Sequence, residues 1–235
     1  MIYLTGRPSG SSDPPDHQDS HEGLVPGSLV SDLLALFESK DQAREEALSL
    51  SRQIIRHCSA SIRSIHRGES SAAQSRLHEA KETLLQMQAV LLAHPDIRYS
   101  GFVDGAEQEY AEALAVFSLI HERSLPTPEV ACVQPANYLA GLGDASGELR
   151  RHVLDLIRQG RPQEAEPFLV QMEEIFSLLM LFDFPDALVR GLRRKSDLSR
   201  SMLERTRGDL ANAIGRASLE QRMLCLEDKI KGVGP

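Results

Sequence analysis

From Ser28 to near Ile230 the apolar residues recur at the three-to-four-residue intervals of a helix, and no stretch alternates with the two-residue period of a strand. That pattern commits the chain to an all-α fold. Composition agrees: aromatic residues make up 5% and Trp is absent, whereas β-sandwiches and barrels favour aromatic and β-branched side chains. At 235 residues the chain can bury a core large enough to need no disulfide or metal staple. Its cysteines, Cys58, Cys132 and Cys225, stand far apart without C-x-x-C spacing, which suits a reduced, cytoplasmic protein.

The breaks predict about seven helices in one domain, residues 28–235. The first runs from about Leu29 to His66 and stops at Arg67-Gly68, where glycine supplies the turn. The second covers Ser71 to Ala93, ahead of Pro95, and the third Gly101 to Glu122. After the loop SLPTPEVACVQP, Pro135 opens a fourth helix reaching Arg158. Pro162 opens a fifth to Leu181, Pro185 a sixth to Ile214, and a short seventh follows to Ile230. The first 27 residues hold four Pro, four Gly and four Ser among Asp13, Asp16, Asp19 and Glu22. Such a segment buries too little apolar surface to offset its ordering entropy, and a disordered acidic tail is expected. His17 and His21, without a helix around them, are read as tail and not as a metal site. No run of eighteen apolar residues spans a membrane, and the N-terminus lacks a signal-peptide pattern.

A net charge of −8 excludes a uniformly basic nucleic-acid coat protein but not a local basic face. The first helix carries such a face. Arg52, Arg56, Arg63 and Arg67 lie within about 60° of one another at 100° per residue, opposite Ala47, Ile54, Cys58, Ile62 and Ile65. No acidic residue stands between Arg52 and Arg67, so local ion pairs do not explain the stripe; phosphate binding is the expected role, with solvated charge that has a partner elsewhere as the alternative. His57 and His66 are read as ordinary helix-surface histidines. The sixth helix, RRKSDLSRSMLERTRGD, is basic too, but Arg193 with Asp197 and Arg200 with Glu204 have ion-pair spacing.

On the third helix the apolar arc is Phe102, Ala106, Tyr110, Ala113, Leu114, Val116, Phe117 and Ile120. Glu109 falls inside one edge of that arc and Glu112 just outside it, while Glu107 points away and reads as surface. A carboxylate along a buried seam is unfavourable unless it is paired or binds a cation. The fourth helix places Gly141, Gly143 and Gly147 around Asp144 and Glu148. Each helical glycine is unfavourable by about 1 kcal/mol relative to Ala. Their presence makes sense if they admit another backbone, a metal or a substrate. If the pairs Glu109/Glu112 and Asp144/Glu148, on successive helices, meet, they offer an oxygen-ligand set for Mg²⁺ or Mn²⁺, an ion that activates water against a phosphodiester; periodicity alone leaves a salt-bridged surface as the equal alternative. A di-iron bundle is excluded by the absence of the Glu-x-x-His pairs it needs. P-loop, dinucleotide, G-x-S-x-G and zinc motifs are also absent.

The segments REEALSLSRQIIRHCSASIRSIHRGE, YSGFVDGAEQEYAEALAVF, NYLAGLGDASGELRR and LRRKSDLSRSMLERTRGDL occur in the order and spacing of the translin family. The chain resembles its prokaryotic-type members over roughly Leu29 to Arg222. QEYAEA and GLGDASGEL are the most specific matches. In the family's catalytic branch, carboxylates of these two segments form a Mg²⁺-dependent endoribonuclease site, and Glu109, Glu112, Asp144 and Glu148 match them. Translin itself lacks the full acidic set and serves as a nucleic-acid-binding partner; LERTRGDL is closer to that type. The resemblance further implies a seven-helix protomer in a hollow, closed homo-octamer with nucleic acid inside. Such an interior reconciles a charge of −8 with a basic helix face. The expected ligand is single-stranded RNA, with single-stranded DNA as a second. The alternative is a non-catalytic nucleic-acid-binding shell; a helical scaffold for protein partners is disfavoured by the arginine stripe.

Overall fold

The computed structural model describes residues 26–122 and 124–231. The helices are α1 (Gly27–His66), α2 (Ser70–Val90), α3 (Pro95–Arg98), α4 (Gly101–His121), α5 (Pro128–Ala131), α6 (Pro135–Arg158), α7 (Glu166–Met180), α8 (Asp186–Val189) and α9 (Leu192–Lys231). Single 3₁₀ turns, Leu91–Ala93 and Pro162–Ala165, join α2 to α3 and lead into α7. Among the described residues there is no strand, and no helix is long and apolar enough to cross a membrane. The chain divides between Ser39 and Lys40. In the first unit the described residues begin α1 and expose Leu29, Val30, Leu33, Leu34, Leu36 and Phe37. The expected tail falls on residues of which 1–25, with His17 and His21, lie outside the described ones.

Local chemistry explains most helix ends. Gly68 takes a φ of +75°, and the Glu69 amide donates back to the Ser64 carbonyl at 2.9 Å. This left-handed cap is where glycine is least strained. Pro135 starts α6 and Arg158 ends it, at the expected positions. The end of the chain differs from expectation. Arg190 and Gly191 both adopt positive φ and end the four-residue α8. Beyond them the expected sixth and seventh helices are one 40-residue helix, α9. Gly208 and Gly215 lie within it with open space around their Cα atoms, and the surrounding Arg, Leu, Glu, Gln and Met are good helix formers that carry the helix through.

In the second unit α6 is the central helix, packed against α4, α9 and α7, with α2 lying against α4. Its stripe Tyr138, Leu142, Ala145, Leu149, Val153 and Leu156 is buried throughout. Helix α1 adds Ile54, Cys58, Ile62 and Ile65 to the same core and is tied to α2 by the Ser61 hydroxyl, which donates to the Ala73 carbonyl at 2.9 Å. Helix α9 seals the far side through Leu192, Leu203 and Leu210. Arg150 fixes it there by donating to Thr206 Oγ1 and Asp209 Oδ2.

Candidate functional site

Close approach of α6 to α4 depends on Gly141. A Cβ there would stand 2.7 Å from the Gln108 carbonyl oxygen, 2.8 Å from Ala111 Cβ and 2.9 Å from the Glu112 amide nitrogen. Gly143 does the same for α9, where a Cβ would lie 3.0 Å from Lys195 Cβ. Gly147 meets only Met202 Sδ at ordinary contact distance. Two of the three glycines are thus explained by neighbouring helices. The result is that Glu109 and Glu112 of α4 come beside Asp144 and Glu148 of α6.

Electrostatics reports that proximity. Burial pushes the Glu112 carboxyl up to about 8, and the charges of Asp144, Glu109 and Glu148 add to the rise. Glu109 is also raised, by burial and then by Asp144. The buried Cys58 thiol of α1 is pushed up by its burial, with Glu109 and Glu112 contributing. Neither Glu109 nor Glu112 accepts a hydrogen bond or forms an ion pair among the described residues. Their α6 counterparts are different. Asp144 receives the Lys195 ammonium of α9 on both oxygens, at 2.6 Å on Oδ2, and the Gln108 amide at 2.7 Å. Glu148 meets His66 Nε2 at 2.5 Å, and that hydrogen bond holds its carboxyl below the usual range.

The donor set, four carboxylates from two helices, is chemically suited to a hard divalent cation. Among the described residues, however, no three Asp, Glu, His or Cys side chains are gathered as ligands around one point. Asp144 is paired with Lys195 and Glu148 with His66.

Several expectations need correction. Glu107 is not a surface residue; it is fully buried. It accepts from Arg98 at 2.6 Å, Gln88 at 3.2 Å, the Gln134 amide at 3.0 Å and Asn137 at 2.8 Å. Nor is His66 a surface histidine, since its side chain is 4% exposed; His57, partly exposed, pairs with Glu79 at 2.8 Å. The expected pairs Arg193–Asp197 and Arg200–Glu204 are not formed among the described residues. Instead Arg207 pairs with Glu173 and Glu204. Helical spacing permits such pairs, but exposed side chains gain little from them. Lys195 and Gln108 were not anticipated. Lys195 precedes the buried Ser196, so it flanks the inward face of α9, and that phase is the one sequence signal that pointed to it.

Arg52, Arg56 and Arg63 on α1 and Arg67 just beyond its end are all exposed, and none makes an ion pair among the described residues. The stripe ends beside the carboxylates, because His66, between Arg63 and Arg67 in sequence, reaches Glu148.

The chain is 34% identical over 193 residues to an uncharacterized protein of Methanocaldococcus jannaschii, covering 81% of this chain and 85% of that one. It superposes on a structure of an AfC3PO–duplex RNA complex with a TM-score of 0.75 and 35% identity, over 80% of this chain and 97% of the other. An apo-NeC3PO crystal structure shares the fold at 21% identity, with a TM-score of 0.74 over 81% and 99% of the two chains. The Translin family model matches residues 42–206, and the chain belongs to the translin family.

Proposed function

We propose that this protein binds RNA within a closed homo-oligomer and cleaves it as a divalent-metal-dependent endoribonuclease, with Glu109, Glu112, Asp144 and Glu148 as the metal-holding set. The observation that carries this reading is the convergence of four carboxylates with too few internal cations to neutralise them; burial first, and then the charges of Asp144, Glu109 and Glu148, push the Glu112 carboxyl up to about 8. Keeping such a group partly buried and unbonded is unfavourable for a fold, and strongly perturbed acids cluster at functional sites. When bound, Mg²⁺ or Mn²⁺ would supply Lewis-acid polarisation and charge neutralisation at a phosphodiester. The chain's own residues do the rest. The exposed arginines Arg52, Arg56, Arg63 and Arg67 engage backbone phosphates without reading bases. The end of their stripe at His66 delivers the strand to the carboxylates.

Similarity to the AfC3PO–duplex RNA complex supports RNA as the ligand. We assign single-stranded RNA as the substrate and single-stranded DNA as a weaker ligand, in an octameric shell whose interior carries the stripe.

A second reading has one observation in its favour. Asp144 and Glu148 already have internal partners in Lys195 and His66, as they would in a non-catalytic nucleic-acid-binding shell. Incubating the protein with end-labelled single-stranded and duplex RNA, with Mg²⁺ or with a chelator, separates the two. The enzymatic reading expects chelator-sensitive internal cleavage of the single strand, lost in Asp144→Asn while RNA binding and assembly persist. Binding without cleavage in any metal would favour the shell.

A further inference from the structure

The Lys195–Asp144 contact has no counterpart on α4. Lys195 Nζ donates to both carboxylate oxygens of Asp144, and those are the atoms a metal ion would need. The lysine is not a stray surface side chain. Gly143 leaves room for its stem, with the would-be Cβ 3.0 Å from Lys195 Cβ. One turn further along α9 the buried Ser199 hydroxyl donates to the Gly143 carbonyl at 3.3 Å. The ammonium is therefore held by α9 against the part of α6 that carries Asp144. It remains about one-quarter exposed, so it has space to move outward without opening the core.

Among the described residues Lys195 is also the one positive group that acts on both unbonded glutamates, lowering what burial and Asp144 raise. His66 pairs with Glu148 and, through Nδ1, with Asp155 at 3.9 Å, and Arg151 reaches Glu148 at 3.8 Å. We infer that Lys195 is a built-in counter-cation of the carboxylate site, which a divalent ion must displace from Asp144 in order to bind. The inference rests on the metal-site reading above and adds a specific competitor to it. An ammonium and a divalent ion cannot share the two oxygens of one carboxylate without strong repulsion. The lysine thus stabilises the metal-free protein and weakens its hold on metal. Such competition would keep the carboxylates apart and ordered between metal-bound states.

The test is direct titration of the full-length protein with Mn²⁺, followed by electron paramagnetic resonance of the free ion, with no RNA present. Lys195→Met removes the charge and keeps the apolar stem; it should tighten Mn²⁺ binding about tenfold. Lys195→Gln, which retains a donor for Asp144, should tighten it in the same direction, and Lys195→Arg, which retains the charge, should bind as the parent does. Helical circular dichroism and unchanged assembly establish that each variant is folded. If the parent binds Mn²⁺ and folded Lys195→Met binds it equally or more weakly, the competition is refuted and the metal site stands. If neither the parent nor any variant binds Mn²⁺, the metal site itself is refuted and the counter-cation role with it.

Discussion

Two acidic regions of α4 sit within two turns of each other and are treated in opposite ways by the fold. Glu107 is fully buried and receives four donors from α2, the segment before α4, and the start of α6. Glu109 and Glu112 are partly buried, face Asp144 and Glu148, and have no donor. A buried charge whose oxygens are all satisfied is an architectural element. One left without partners beside three other acids is unfavourable as an anion, and a bound proton or a metal cation relieves it. The same distinction separates Arg98, locked onto Glu107, from the unpaired arginines of α1. Groups that the fold has already paired hold it together, and groups left unpaired remain available to a ligand.

The contrast breaks first at Glu107. Glu107→Ala takes the carboxylate from the partly buried Arg98 and the acceptor from the Gln134 amide, while Asn137 keeps Asp104, and loss of one partner of a buried charge pair is destabilising by about 3–5 kcal/mol. Urea unfolding should register that loss, and a change below about 1 kcal/mol would mean that water readily replaces the carboxylate. Gly141→Ala should follow, at about 1–3 kcal/mol, because its methyl overlaps the α4 backbone. Unfolding monitored by circular dichroism checks it.

Glu112→Gln should move stability the other way. The folded chain holds the Glu112 proton up to about pH 8, whereas the unfolded chain releases it near the ordinary value of 4.5. The folded state therefore binds the extra proton between those values, and stability falls as pH rises through that window. The variant lacks this loss. It should exceed the parent by about 1–2 kcal/mol near pH 8 and match it near pH 4.5, in paired urea titrations without metal. Equal stabilities at both pH values would show that Glu112 is not under strain.

The smallest effects belong to the stripe. Affinity for single-stranded RNA should fall with salt at a slope of about −0.7 per phosphate neutralised. Arg52→Gln or Arg63→Gln should flatten that slope by one contact and weaken all sequences alike. Arg161→Gln, whose guanidinium is tied to Glu164, should leave it unchanged. Fluorescence anisotropy across a salt series reads both, and a stripe variant that binds like the parent at every salt concentration would make the stripe plain surface charge.

The helical fold and the nearness of Glu112 to Glu109, Asp144 and Glu148 were legible in sequence because apolar stripes and glycines mark the packed faces; the role of these residues as ligands remains the proposal above. Glu107 was not. The second buried face of α4 is made of Ala111, Ala115 and Ser118, small residues that add little to an apolar arc, so a helix buried nearly all round looked one-sided. Lys195 and His66 were hidden for another reason. They reach the carboxylates from helices far along the chain, and one-helix periodicity carries no information about such partners. The continuity of α9 was missed because a glycine such as Gly215 suggests a stop yet is tolerated in a helix whose neighbours favour it.

The most direct measurement is the single-turnover rate of single-stranded RNA cleavage in Mg²⁺ by folded Glu112→Gln, set beside Glu107→Gln at a temperature where both remain folded. The account predicts that Glu112→Gln loses about a hundredfold or more in rate while binding RNA normally, and that Glu107→Gln retains the parent's rate despite lower stability. Cleavage by Glu112→Gln at the parent's rate would contradict it, and would place the chemistry elsewhere than on these four carboxylates.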